Sequence, residues 1–282
     1  MASATASSSS AGSSSGGGAV DAGNPPGWTL VWSDEFEGPD GGDVDLTKWV
    51  HVESGNGNGN QELEYYTPGP ANAFVGSGNL HLVADALPSN GGGFSCWYGA
   101  CQYTSGKLVT KADGATALFE KQFGRFSARM KIPAGQGVWP AFWMLGSNID
   151  QVSWPTCGEI DVMENVGMNP STDYGTLHGP NAQGQNVSLG GSTMLASGTL
   201  ADDFHVYSVE WSMGQVVFLL DDIPYFTGTT SAYSGTWVFD DHPYFLLLNL
   251  AIGGSWPGSP NSSTVFPAEV LVDWVRVYDA SP

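Results

Sequence analysis

Basic residues are scarce. Eight Lys and Arg stand against 28 Asp and Glu in 282 residues, a formal charge of −20. Such a surface repels nucleic acid and anionic membranes. It also disfavours heavily sulfated or uronic polysaccharides, whereas a neutral glycan is indifferent to it. Cysteine is nearly absent as well, with three in the chain. Cys96 and Cys101 stand close enough to close a small loop in an oxidising compartment. Cys157 has no His pairing to activate it and reads as a small buried hydrophobe. No Cys/His spacing suits a metal. No stretch approaches the ~18 consecutive apolar residues of a membrane-spanning helix. Helical periodicity is missing too: at most Asp45–Val50 forms one turn, with Asp45 placed to cap it.

What abounds is turn chemistry, with 39 Gly and 17 Pro. Met1 to about Asn24 is mostly Ser, Ala and Gly without an aromatic, so residues 1–26 read as a low-complexity linker or leader. It has neither the basic start nor the apolar run of a signal peptide. From residue 27 to 282 short alternating runs predict strands: Trp28–Trp32, Asn79–Ala84, Lys107–Thr110, Gly124–Ile132, Phe204–Ser212, Val216–Leu220, Tyr244–Ala251 and Glu269–Tyr278. That many strands with almost no helix predict one all-β domain of two large packed antiparallel sheets. The loops Leu87–Ala100 and Ser231–Asp240 are expected to shape the ends of any cleft.

The chemistry concentrates in Gly158-Glu159-Ile160-Asp161-Val162-Met163-Glu164-Asn165. Read as a regular strand, period two puts Glu159 and Asp161 on one face and Glu164 on the other. One extra residue near Val162–Met163 flips the phase and gathers all three acids on one face. Carboxylates ~6–7 Å apart repel, and more so away from water. A calcium site or a solvated acidic face are the plain readings. A calcium site, however, needs several oxygen ligands. Here Trp139, Phe142, Trp143, Trp154 and Pro155 lie just upstream, which favours a pair of catalytic carboxyls in an aromatic cleft.

This motif resembles the Glu-X-Asp-X-X-Glu signature of glycoside hydrolase family 16, in the bulged form of its laminarinase branch. Other blocks resemble the family in order: Trp32–Phe36, Asn60–Thr67, Gly124–Phe126, Gly137–Leu145, Gly175–Gly179, Gly253–Gly258 and Val272–Tyr278. The resemblance implies a jelly-roll sandwich with an open glycan cleft on its concave sheet. It implies retaining hydrolysis, with Glu159 as nucleophile, Glu164 as general acid/base and Asp161 hydrogen-bonded to the nucleophile. Trp139 and Trp143, and with less support from the resemblance Trp154, would offer faces to sugar rings. Trp256, in a Gly-rich loop, would do the same. Asn60, Glu62, Arg125 and His178 would meet sugar hydroxyls. Catalysis would need no cofactor. One structural calcium is implied away from the cleft, held by the Asp273 side chain and backbone oxygens near Glu35 and Gly78. The expected protein is a secreted, monomeric endo-β-1,3-glucanase acting on laminarin-like glucans and open to mixed β-1,3-1,4 chains, with no nucleic-acid or membrane partner. Agar or galactan hydrolysis is the close alternative, and a non-catalytic glucan-binding domain the distant one.

Overall fold

The computed structural model describes residues 23–282, so most of the expected leader lies outside the described residues. Strands stack into two large sheets. One has seven strands, in the order Asn186–Met194, Thr172–Pro180, Glu159–Glu164, Val138–Gly146, Tyr244–Ile252, Lys107–Val109 and Val50–His51. The other has ten and is built around Ala268–Ala280, which pairs with Gly124–Lys131, Asn79–Ala86 and Trp28–Asp34. Pairing is antiparallel except between Glu64–Tyr66 and Tyr103–Ser105. The expected sandwich is present.

Alternation decides which side chains fill it. Along Val138–Gly146, Val138, Phe142 and Met144 enter the core, while Trp139, Ala141, Trp143 and Leu145 line a cleft on the opposite face. Tyr244–Ile252 lies between two strands and is buried throughout. Tyr244, Leu246, Leu248, Leu250 and Ile252 join the core, each worth about 1.5–3 kcal/mol when fully withdrawn from water. Asp45 caps a single turn: its Oδ1 accepts the Thr47 N–H at 2.9 Å, and its carbonyl accepts the Trp49 N–H.

Several strands were not delimited from the sequence. Among them, Thr172–Pro180, Asn186–Met194 and Ile223–Thr229 carry Gly, Ser or Pro where a strand signal needs β-branched or aromatic residues. Asn186–Met194 is an edge, and its half-exposed, half-solvated pattern suits that position. Cys96 and Cys101 are joined by a disulfide, and Cys157 is buried and unpaired. Burial pushes the Cys157 thiol up to about 12, which leaves it inert.

Candidate active site

The seven-stranded sheet carries a cleft of about 640 Å³. Its floor is the Glu159–Glu164 strand, and that strand is bulged. Met163 faces Phe142 while Asp161 faces Trp143, so Val162 has no partner of its own. On the other side Asp161 faces Thr176 and Glu164 faces Tyr174, again with one residue too many. Ile160, Val162 and Met163 all enter the core, and Glu159, Asp161 and Glu164 all line the cleft. The extra residue has flipped the phase, as the spacing of the acids requires.

Three carboxyls in a shielded cleft cannot all ionise freely. Burial pushes Glu159 up to about 7, against donors from Trp154 and Asp161 and the attraction of Lys107. Burial, then repulsion from Glu159, pushes Glu164 up to about 8, although the Trp139 indole N–H donates to its Oε1 at 3.0 Å. Burial and the two flanking glutamates hold Asp161 well above the usual carboxylate range. The arrangement therefore contains a carboxylate able to attack, a carboxyl able to give a proton, and a protonated acid between them.

Four tryptophans line the cleft. Trp139 and Trp143 are half-buried in the cleft, whereas Trp154 and Trp256 are 47% and 43% exposed at its rim. Trp256 meets Trp139 and Tyr174 edge-on, at 5.5 and 5.1 Å between centroids. His178 Nε2 lies 3.3 Å from Asp161 Oδ2, and its Nδ1 faces the Asn186 amide at 3.2 Å. Burial lowers the His178 pKa, so the ring is neutral at pH 7. Asn60 and Glu62 line the opposite end, where Asn58 and Asn60 donate to the Glu62 carboxylate at 2.8 and 3.2 Å.

Arg125 is a correction. It lies in the ten-stranded sheet, outside the cleft, and is buried. Its guanidinium pairs with Glu210 at 3.0 Å and with Asp222, and donates to Ser208 at 3.3 Å. Strand parity set its side chain opposite Phe126, but parity alone does not say to which sheet a strand belongs.

Calcium was expected at Asp273, Glu35 and Gly78. Val272 faces Leu80 and Val275 faces Asp34, so Asp273 lies on the stretch between those two pairs. The Arg129 guanidinium donates to Asp273 Oδ2 at 2.7 Å, and Glu35 turns its carboxylate to Arg276.

Several lining residues carried no signal in the sequence. Asn58, Lys107, Thr176, Asn186 and Asn249 all face the cleft. Lys107 sits over the rings of Trp143 and Tyr66, 4.9 and 5.6 Å from their centroids. Its alternation with the core residue Leu108 was the one available clue. Of the two loops expected at the cleft ends, Leu87–Ala100 props Glu62 from behind: the Trp97 indole N–H donates to the Glu62 carbonyl at 2.7 Å. Ser231–Asp240 instead buries Tyr233, Val238 and Phe239.

Residues 55–276 match the profile of glycosyl hydrolases family 16. The chain is 38% identical over 266 residues to a beta-glucanase of Rhodothermus marinus, an alignment spanning 90% of this chain and 86% of that protein. It is 35% identical over 274 residues to glucan endo-1,3-beta-glucosidase A1 of Niallia circulans, covering 89% of this chain and 38% of that longer protein. Among solved structures, the catalytic domain of an endo-1,3-beta-glucanase (laminarinase) from Thermotoga petrophila RKU-1 superimposes with a TM-score of 0.79 at 40% identity. That match covers 90% of this chain and 99% of the other.

Proposed function

The chain belongs to glycosyl hydrolase family 16, and from that premise we propose that it is a retaining endo-β-1,3-glucanase that also accepts mixed β-1,3-1,4 chains. The observation that carries this reading is the bulge at Val162, which gathers three carboxyls beneath half-buried tryptophans. An open cleft walled by Trp139, Trp143, Trp154 and Trp256 suits a neutral polymer whose ring faces are apolar.

The residues divide the work by their charge states. Glu159, with the lower pKa of the two glutamates, attacks the anomeric carbon. Protonated Asp161 donates to it and keeps its charge from dispersing into a second proton equilibrium. Glu164 gives its proton to the departing glycosidic oxygen. Attack turns Glu159 into a neutral ester, which removes the repulsion that raised Glu164. Glu164 can then ionise and take a proton from water as that water attacks the glycosyl-enzyme. Two inversions at carbon restore the β configuration.

The test is a product profile on laminarin, lichenan and agarose, with the first-formed anomer read by NMR. A β product from the two glucans supports the proposal. Cleavage of agarose alone would move the substrate to galactans, and an α product would exclude retention. Glu159→Ala should abolish release while sugar binding persists.

Two further parts of the reading concern compartment and metal. The Cys96–Cys101 disulfide supports a secreted enzyme, because such bonds persist in oxidising compartments. A structural calcium at Asp273, Glu35 and Gly78 would tie the Trp28–Asp34 strand to the Ser77–Gly78 turn. Chelation should then lower the unfolding temperature and leave initial rates at low temperature unchanged.

A further inference from the structure

Glu62, Glu64 and Tyr66 occupy alternate positions of one extended segment and turn the same way. Glu62 lines the cleft, but Tyr66 is fully buried and reaches no sugar. Even so, Tyr66 stands in a chain of hydrogen bonds that begins and ends in the cleft. The Trp143 indole N–H donates to Asn249 Oδ1 at 2.7 Å, and Asn249 Nδ2 donates to the Tyr66 hydroxyl at 3.1 Å. The Tyr66 hydroxyl donates to Glu62 Oε2 at 3.4 Å.

The direction of this chain is forced as far as Tyr66. An indole nitrogen can only donate, so Asn249 must present its oxygen to Trp143 and its NH₂ to Tyr66. Tyr66 then spends a lone pair on Asn249 and has one proton left for its acidic neighbours, Glu62 at 3.4 Å and Glu64. Burial, with Glu64 and Glu62 nearby, holds the Tyr66 phenol well above its usual range, so that proton stays on. Glu64 is buried too and takes the Ile252 N–H at 2.7 Å. Burial and Glu62 hold its carboxyl well above the ordinary range, so Glu64 keeps its proton.

We propose that Tyr66 is a positioning residue that fixes Glu62 as an oriented acceptor and ties its geometry to the Trp143 platform. Donors from Asn58, Asn60 and Tyr66 then hold the Glu62 carboxylate with a free lone pair for a sugar hydroxyl. A sugar ring laid on Trp143 and a hydroxyl given to Glu62 are thus recognised as one unit. A substrate that moves the indole also loosens the acceptor.

The inference rests on the glucanase reading, and its test separates the two. Wild type and Tyr66→Phe are compared on laminarin for kcat and KM. Sugar binding is measured separately in the Glu159→Gln background. Tyr66→Phe should raise KM, and weaken binding, about tenfold with kcat within twofold. That is the loss of one hydrogen bond to a charged acceptor at about 1.4 kcal/mol. Added to Glu62→Gln it should cost less than twofold more, because the relay then has no anion to orient. Asn249→Asp provides a second route should Tyr66→Phe fold poorly. Its carboxylate accepts from both Trp143 and Tyr66 and so draws the phenol proton away from Glu62. KM should rise, and Tyr66→Phe on top should add nothing. An unchanged KM in both variants, a fall in kcat alone, or fully multiplicative losses with Glu62→Gln would overturn the proposal. No activity in the wild type on any glucan would overturn the glucanase reading instead, while the binding measurement would still judge the relay.

Discussion

Replacing Glu164 by Gln should stabilise the protein while removing its activity. Folding takes Glu164 from an ordinary 4.5 to about 8, with burial as the first cause. Below pH 4.5 folded and unfolded chains both hold the proton, and the site contributes no difference. Between the two values the unfolded chain ionises while the folded one stays protonated, so stability falls as pH rises. Above about 8 the loss is complete. At about 1.36 kcal/mol per unit the ceiling is about 5 kcal/mol. Glu159 shares in the repulsion, so about 2–4 kcal/mol is the expected gain for Glu164→Gln at pH 9 relative to pH 4.5. The amide oxygen can still accept from Trp139, which keeps the replacement local. In a domain of this size that gain is about 5–10 °C. Thermal and urea unfolding of both proteins at several pH values would measure it. A variant no more stable than wild type at pH 9, or a difference that ignores pH, would refute the assignment of Glu164 as a buried, proton-holding acid.

Other outcomes follow from the same geometry. The rate kcat/KM should rise as Glu159 ionises near pH 7 and fall as Glu164 ionises near pH 8, giving a narrow bell whose two limbs belong to the coupled pair; a single sigmoid would contradict the division of roles. Deleting Val162 leaves Met163 opposite Phe142 and Asp161 opposite Trp143, with the acids still alternating onto the cleft. That variant should lose about 1.5–3 kcal/mol of stability with the buried valine and keep measurable hydrolysis. If it folds and is wholly inactive, the bulge itself is what the chemistry needs. Replacing Cys96 and Cys101 by Ser frees the loop that holds the Glu62 carbonyl through Trp97, so KM should rise several-fold with kcat little changed. An unchanged KM would show that the loop needs no covalent closure.

Much of this site is legible in the chain because its signals are local. The acid spacing demands a bulge, and the bulge is there. Trp139 and Trp143 stand four residues apart, so a strand must put them on one face. What was not legible depends on which elements become neighbours. Arg125 alternates as cleanly as Trp139, yet its strand pairs with Ala268–Ala280 and not with the acid strand. Tyr66 and Asn249 are separated by 183 residues and meet only because the core brings their elements together. Lys107 shows as a lone cation in a short apolar run, with nothing to say which side is wet. Asn186–Met194 hides because an edge strand needs few apolar residues to hold its place.

The three acids ride on one uninterrupted stretch of backbone near the middle of a seven-stranded sheet. Their mutual spacing is therefore set by covalent bonds and flanking ladders, and not by the closing of a flap. Breathing of the rim, where Trp154 and Trp256 stand, changes how long a chain lingers and how it is gripped. It leaves the reacting trio in register. Natural or engineered variation in the rim can thus retune which glycan is taken without retuning the bond-breaking step, and heat should silence that step only when the sheet itself comes apart.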